Sequence, residues 1–152
     1  MFFVVDPGEM CGYMMLANDG KVLGHGEAFP FACVRILEDQ LRENDDPSTF
    51  VVVERYTITP MTHKMTRQYA ALETIGAIRY VAAKYRRAVH LQSRSEKSRV
   101  SNTLLISLGW YKSTPDGHAN DAARHAFVAM LNHAPNSDLV RRTLGTISAR
   151  SK

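Results

Sequence analysis

Three acidic residues stand where apolar segments stop. Asp6 follows the run Phe2–Val5, and Glu54 follows Phe50-Val51-Val52-Val53. A carboxylate placed directly after four apolar residues is an unusual choice for a core strand, and its charge is costly to bury unless something positive compensates it. A divalent cation is such a compensator. Asp121 lies three residues after His118, so the two project from one side of a helix. If the strands ending in Asp6 and Glu54 lie side by side, both carboxylates emerge at the same edge of a sheet. Three oxygen donors and an imidazole suit Mg²⁺ or Mn²⁺ better than a thiol-loving metal. Each residue taken singly has an ordinary structural reading. Asp6 before Pro7-Gly8 can be a turn-forming side chain, and Glu54 a strand-end ion pair with Arg55 or Arg67. His118 can act as a cap, and Asp121 as a first-turn acid complementing the helix dipole. Their joint occurrence in a chain with segregated charge favours the metal site.

That segregation is pronounced. Residues 1–50 carry three basic side chains against nine acidic ones, a net of −6; residues 51–152 carry sixteen against six, a net of +10. A polyanionic partner facing the second half is the reading this supports. Between Arg79 and Arg99 there are seven basic side chains and one acid, Glu96. Lys84, Arg86 and Arg87, at the far end of a helix, read as a solvated face; Lys64, Arg67, Arg94, Lys97 and Arg99 are better placed to meet phosphates. The two cysteines, Cys11 and Cys33, lack the spacing of a zinc site and read as buried thiols, with a single disulfide left open. The apolar start Met1–Val5 is too short for a signal peptide and no later run approaches membrane length, so a cytoplasmic protein is expected.

The elements that must position these residues follow from periodicity. Phe2–Val5 reads as a buried strand, and Gly12–Leu16 and Val22–Glu27 as a hairpin around Asn18-Asp19-Gly20. Pro30 suits a helix start, with Val34, Leu37 and Leu41 at helical spacing. After the polar loop Asn44–Ser48, Phe50–Val53 is a second buried-type strand. Residues 57–67 show no clear period and read as a loop or flap. Ala71, Ile75, Ile78, Ala82 and Tyr85 mark one face of a helix over 68–86, Ala88–Leu91 a short strand, and Ser95 the cap of a helix carrying Val100, Leu104 and Leu108. A last helix runs from His118 to about His133. His125, one turn past Asp121, is expected to stand apart from the site more than in it. The division expected is a domain over 1–135 and a basic, loosely held tail over 136–152. Three strands, helix, strand, helix, strand, helix, helix make an α/β layer fold.

These residues resemble a known family, the RuvC-type Holliday junction resolvases of the ribonuclease H-like superfamily. Asp6-Pro7-Gly8 with Gly12-Tyr13 is similar to that family's first-strand motif, Val51-Val52-Val53-Glu54 to the strand delivering its glutamate, and His118-Ala119-Asn120-Asp121-Ala122 to its closing motif. Ser95-Glu96-Lys97-Ser98-Arg99-Val100 resembles a segment whose lysine approaches the scissile phosphate. Tyr56 stands near the place of a DNA-stacking aromatic. The resemblance spans about residues 2–131 and implies a mixed five-stranded sheet flanked by helices. It also implies two-metal hydrolysis giving 5′-phosphate and 3′-hydroxyl ends, with two Mg²⁺ or Mn²⁺ ions on Asp6, Glu54, His118 and Asp121. Lys97 would assist the transition state; Tyr56, Lys64, Arg67, Arg94, Lys97 and Arg99 would touch DNA. The implied partner is a four-way junction held by a homodimer, in a bacterial cell or a phage-infected host. The 71–85 helix is a candidate dimer face through Gly76, Ala82 and Ala83, or else simply covers the sheet.

Other readings stay in view. A less selective nuclease for flaps, forks or RNA–DNA hybrids would carry the same acids, because specificity lies in loops and dimer geometry. A non-catalytic DNA-binding module would be expected to have lost some of the four ligand positions, and all are filled. Actin-like ATPases share an Asp-x-Gly loop but need two domains, which this chain is too short to supply.

Overall fold

The computed structural model describes residues 1–44, 46–58 and 68–150. Five strands, β1 (Phe2–Asp6), β2 (Cys11–Leu16), β3 (Val22–Ala28), β4 (Phe50–Glu54) and β5 (Val89–Gln92), form one mixed sheet in the order β3-β2-β1-β4-β5. β1, β2 and β3 pair antiparallel, as the Asp-Gly hairpin signal requires, while β4 runs parallel to both β1 and β5. Helices α1 (Pro30–Glu43) and α2 (Gln68–Lys84) supply the crossovers around β4. After β5 come α3 (Arg94–Lys97), α4 (Asn102–Ser107), α5 (His118–His133) and α6 (Asp138–Arg150).

The strict alternation of side chains along a strand divides the apolar residues into two cores. Phe3, Val5, Val51 and Val53 pack with Cys33, Leu37 and Leu41 of α1 and Ile75, Ile78 and Ala82 of α2. Phe2, Val4 and Val52 face the other way, against Ala122, Ala123, Ala126 and Met130 of α5, Leu105 of α4 and Val140 of α6. Covering on both faces explains why β1 and β4 are unbroken apolar runs rather than alternating ones. Alternation then fixes the face of the acids. Asp6 continues the Phe2-Val4 series and Glu54 the Val52 position, so both belong to the α5 side at the C-terminal ends of two paired parallel strands.

α5 can lie close to the sheet because the face it presents is built of alanines. The closest approach is at Gly12 on β2, where an added Cβ would stand 1.8 Å from the carbonyl oxygen of His118. Glu27 of β3 holds the same helix end, accepting a hydrogen bond from the Ala119 N–H at 3.1 Å and from the Thr114 hydroxyl at 2.7 Å. Asn120 exchanges two hydrogen bonds with the backbone of Lys112, at 2.8 and 2.7 Å. The first turn of α5 is therefore fixed from both sides.

Two expectations are corrected. The single helix capped by Ser95 is two short helices. Ser93, not Ser95, starts α3 through a capping box with Glu96, and the Ser101 side chain accepts from Leu104 N–H to start α4. The segment read as a loose basic tail forms α6 over Asp138–Arg150, with Val140 buried in the α5-side core. On α2, Ala82 is buried against α1 and the sheet, whereas Gly76 and Ala83 are exposed. Cys11 and Cys33 are free buried thiols. No described helix is long and apolar enough to cross a membrane.

Candidate active site

Asp6, Glu54 and Asp121 converge on one cation, the ammonium of Lys97. Its Nζ donates to Glu54 Oε2 and, at 2.6 Å, to Asp121 Oδ2, and lies 3.6 Å from Asp6 Oδ1. The capping box makes this possible: Glu96 accepts from the Ser93 N–H at 2.5 Å and from its hydroxyl at 2.9 Å, turning the chain so that Lys97 points inward from the end of β5. Lys97 is only 8% exposed and Asp6 5%. A lysine this buried stays charged only when paired. Burial works against its proton, but Asp6, Asp121 and Glu54 together raise the pKa above the ordinary lysine value.

Burial pushes the Asp6 carboxyl up, against the hydrogen bond from His118 and the charge of Lys97. Glu54 is also desolvated, yet hydrogen bonds from His125 and Lys97 hold it down at about 2. His118 Nδ1 lies 2.7 Å from Asp6 Oδ2, and that bond raises the histidine pKa. His118 therefore meets the cluster through Asp6.

Two neighbours were not expected in the site. Arg124 donates to Asp121 Oδ1 at 2.5 Å, to the Val100 carbonyl at 3.0 Å and to Asn102 Oδ1, tying Asp121 to the start of α4. The available sequence signal is its position three residues after Asp121, one helical turn along α5. His125 is fully buried and sits 2.9 Å from Glu54 Oε2, so it belongs to the site after all. His118, Asp121 and His125 form one stripe along α5, and depth along that stripe separates them.

The expected DNA contacts are dispersed. Arg94 and Arg99 are exposed at either end of α3. Tyr56 is half-buried against the core under α1 and α2, on the opposite side of the sheet from the carboxylates. Lys64 and Arg67, with most of the expected flap, lie outside the described residues. Lys97 lies inside the carboxylate cluster.

The donor set fits a hard divalent cation: three carboxylates and an imidazole, with no thiolate. Among the described residues, however, no three acidic, histidine or cysteine side chains are drawn tightly enough to ligate one ion as they stand. Lys97 occupies the position between the carboxylates, so a metal would be held by Asp6, Glu54 and Asp121 with Lys97 displaced.

No protein-family model matches the sequence, and no curated protein matches it. Solved structures do. RuvC of Thermus thermophilus in complex with a Holliday junction substrate superposes with a TM-score of 0.64 at 14% identity, covering 88% of this chain and 94% of that one. A second Thermus thermophilus RuvC structure gives a TM-score of 0.56 at 12% identity, covering 90% of this chain and 96% of that one. The fold is that of RuvC. At these identities the likeness is one of fold, and it matches the ribonuclease H-like sheet expected from the motifs.

Proposed function

We propose that this chain is a divalent-metal-dependent endonuclease that resolves four-way DNA junctions by paired, symmetric nicks. The observation that carries the proposal is the convergence of Asp6, Glu54 and Asp121 on a single cation position at the ends of paired parallel strands. Carboxylates gathered in this way repel a phosphodiester, so they make sense beside DNA only if cations stand between. When bound, Mg²⁺ or Mn²⁺, two per site on this reading, would activate water and stabilise charge on the leaving 3′ oxygen. Asp6, Glu54, Asp121 and His118 are assigned to hold the ions. Arg124 keeps Asp121 oriented, and Glu27 keeps the first turn of α5 in place. Lys97, once displaced by metal, would lend positive charge to a phosphate at the same site. Arg94 and Arg99 are assigned to flanking phosphates, with Lys64 and Arg67 contributing from the chain after β4, whereas Tyr56, packed on the far side of the sheet, is not. Each phosphate neutralised should add roughly 0.9 to the salt slope on duplex DNA.

Two symmetric cuts need two sites related by a two-fold axis. The outward face of α2 exposes Tyr69, Leu72 and Tyr80 around Gly76, beside which nothing lies within 4 Å. We assign this face to a second copy of the chain. Tyr80→Glu is expected to shift the protein from dimer to monomer in analytical ultracentrifugation and to convert paired nicks into single ones. A monomeric parent protein would count against the assignment.

The test of function is cleavage of a synthetic four-way junction in Mg²⁺ and in Mn²⁺, with linear duplex, flap and RNA–DNA hybrid as controls. Paired symmetric nicks are expected on the junction, with activity falling by about a thousandfold or more in Asp6→Asn and in Asp121→Asn. Equal cutting of every substrate would leave a nuclease but remove the junction preference. Full activity in both variants would refute the metal site.

A further inference from the structure

Behind Glu54 lies a polar chain that the catalytic reading does not use. His125, fully buried on α5, has Nε2 at 2.9 Å from Glu54 Oε2 and Nδ1 at 2.7 Å from the side-chain amide of Gln92, itself buried at the end of β5. The amide's other neighbours decide its orientation. With its nitrogen toward His125 it donates to Nδ1 at 2.7 Å and to the His125 carbonyl at 3.2 Å, while its oxygen accepts from the Ala129 N–H at 3.3 Å. Turned the other way, its oxygen would face a carbonyl and its nitrogen an N–H. A donor aimed at Nδ1 requires a lone pair there, so the ring proton lies on Nε2, pointing at Glu54.

We infer that His125, its tautomer set by Gln92, is a positioning residue that fixes the Glu54 carboxylate and thereby sets the affinity of the site for a divalent cation. This inference rests on the metal-dependent reading above. Glu54 Oε2 takes two donors: Lys97 from the cation position, and His125 from the buried side. A cation arriving at the cluster displaces only the first. The imidazole is pinned at both nitrogens and cannot follow, so the carboxylate keeps its orientation when the ammonium leaves. Register supports the arrangement, because Glu54 and Gln92 are direct partners across the parallel pair β4–β5. Gln92 thus aligns the ring from the neighbouring strand while α5 supplies it. Hydrogen bonds of this kind behind a metal ligand commonly change metal affinity by about 10- to 100-fold when removed.

The test has two arms. In the metal-free protein, ¹⁵N NMR of the labelled imidazoles should show His125 protonated on Nε2 alone, and Gln92→Leu should turn it into a mixture of forms. A ring protonated on Nδ1 in the parent protein overturns the inference whatever the metal does. In the second arm, Mn²⁺ is titrated calorimetrically into the protein. His125→Leu should weaken binding about 10- to 100-fold, and His125→Gln, whose amide can reach Glu54 with an N–H, should recover most of it. A folded His125→Leu protein with parental affinity overturns the inference and leaves the metal site standing. A parent protein that binds no Mn²⁺ in an Asp6-dependent manner overturns the metal reading, and with it the affinity assigned to His125. If His125→Leu does not fold, His125→Gln and the NMR arm still decide.

Discussion

Lys97→Met is expected to lower folding stability by about 3–5 kcal/mol in metal-free buffer, the usual cost of removing one partner from a buried ion pair. The substitution keeps most of the side chain's apolar length, so the loss is electrostatic rather than a cavity. Asp6, Glu54 and Asp121 would be left facing one another, with Arg124, His118 and His125 the neighbours among the described residues that offset their charge. Urea denaturation with and without Mg²⁺ measures the effect. The variant should recover a larger share of its stability from Mg²⁺ than the parent does, because the cation then fills the place the ammonium held. It should also bind Mn²⁺ more tightly than the parent while cleaving more slowly. A loss below about 1 kcal/mol would show that the ammonium is not the cluster's resident counter-charge.

Gly12→Ala is expected to damage both fold and site. The new Cβ would stand 1.8 Å from the carbonyl oxygen of His118, 2.2 Å from its carbon and 2.8 Å from the nitrogen of Ala119. All three are backbone atoms of the helix start, so no side-chain rotation relieves the clash. The first turn of α5 must retreat from β2 by roughly 2 Å to reach ordinary contact. That movement breaks the Glu27–Ala119 hydrogen bond and carries His118 away from Asp6. A stability loss of about 3 kcal/mol is expected, with junction cleavage down at least about a hundredfold in the fraction that folds. Loss of the His118–Asp6 contact should be visible as a fall in the histidine pKa by NMR, since that hydrogen bond is the main cause of its rise. Parental stability would mean that α5 does not approach β2 as closely as described.

Much of this arrangement was legible in the residues. The apolar runs ending in Asp6 and Glu54 identify two strands buried on both faces. The side-chain period of two then assigns both acids to one face, whatever covers it. The spacing of His118, Asp121 and His125 puts all three on one helical stripe, and Asp-Gly between strand-like segments marks the hairpin. These are local regularities, and a sequence carries them directly. Weaker local signals competed less well. Ser93-x-x-Glu96 is a capping box as it stands, but Ser95 offered a rival start, and the hydrogen bonds between Ser93 and Glu96 decide between them. α6 begins with Asp138 and buries Val140 and Thr143, but its basic residues made it resemble a solvated tail.

What the sequence by itself determined is the identity of the acids, their face and their end of the sheet. Only the tertiary structure decided what stands among them. Lys97 is 43 residues from Glu54 and 24 from Asp121 along the chain, and no periodicity links them. Its choice between a solvated phosphate contact and a buried counter-ion depends on how α3 leaves β5 and how deeply α5 settles on β2. The same holds for His125, which spacing aligns with Asp121 but whose depth depends on the alanine face of α5 and on the missing side chain at Gly12. Electrostatic energies vary with distance and with exclusion of water. Packing between distant segments sets both, so Lys97 and His118 could be named with the acids from the sequence, while the contacts among them could not.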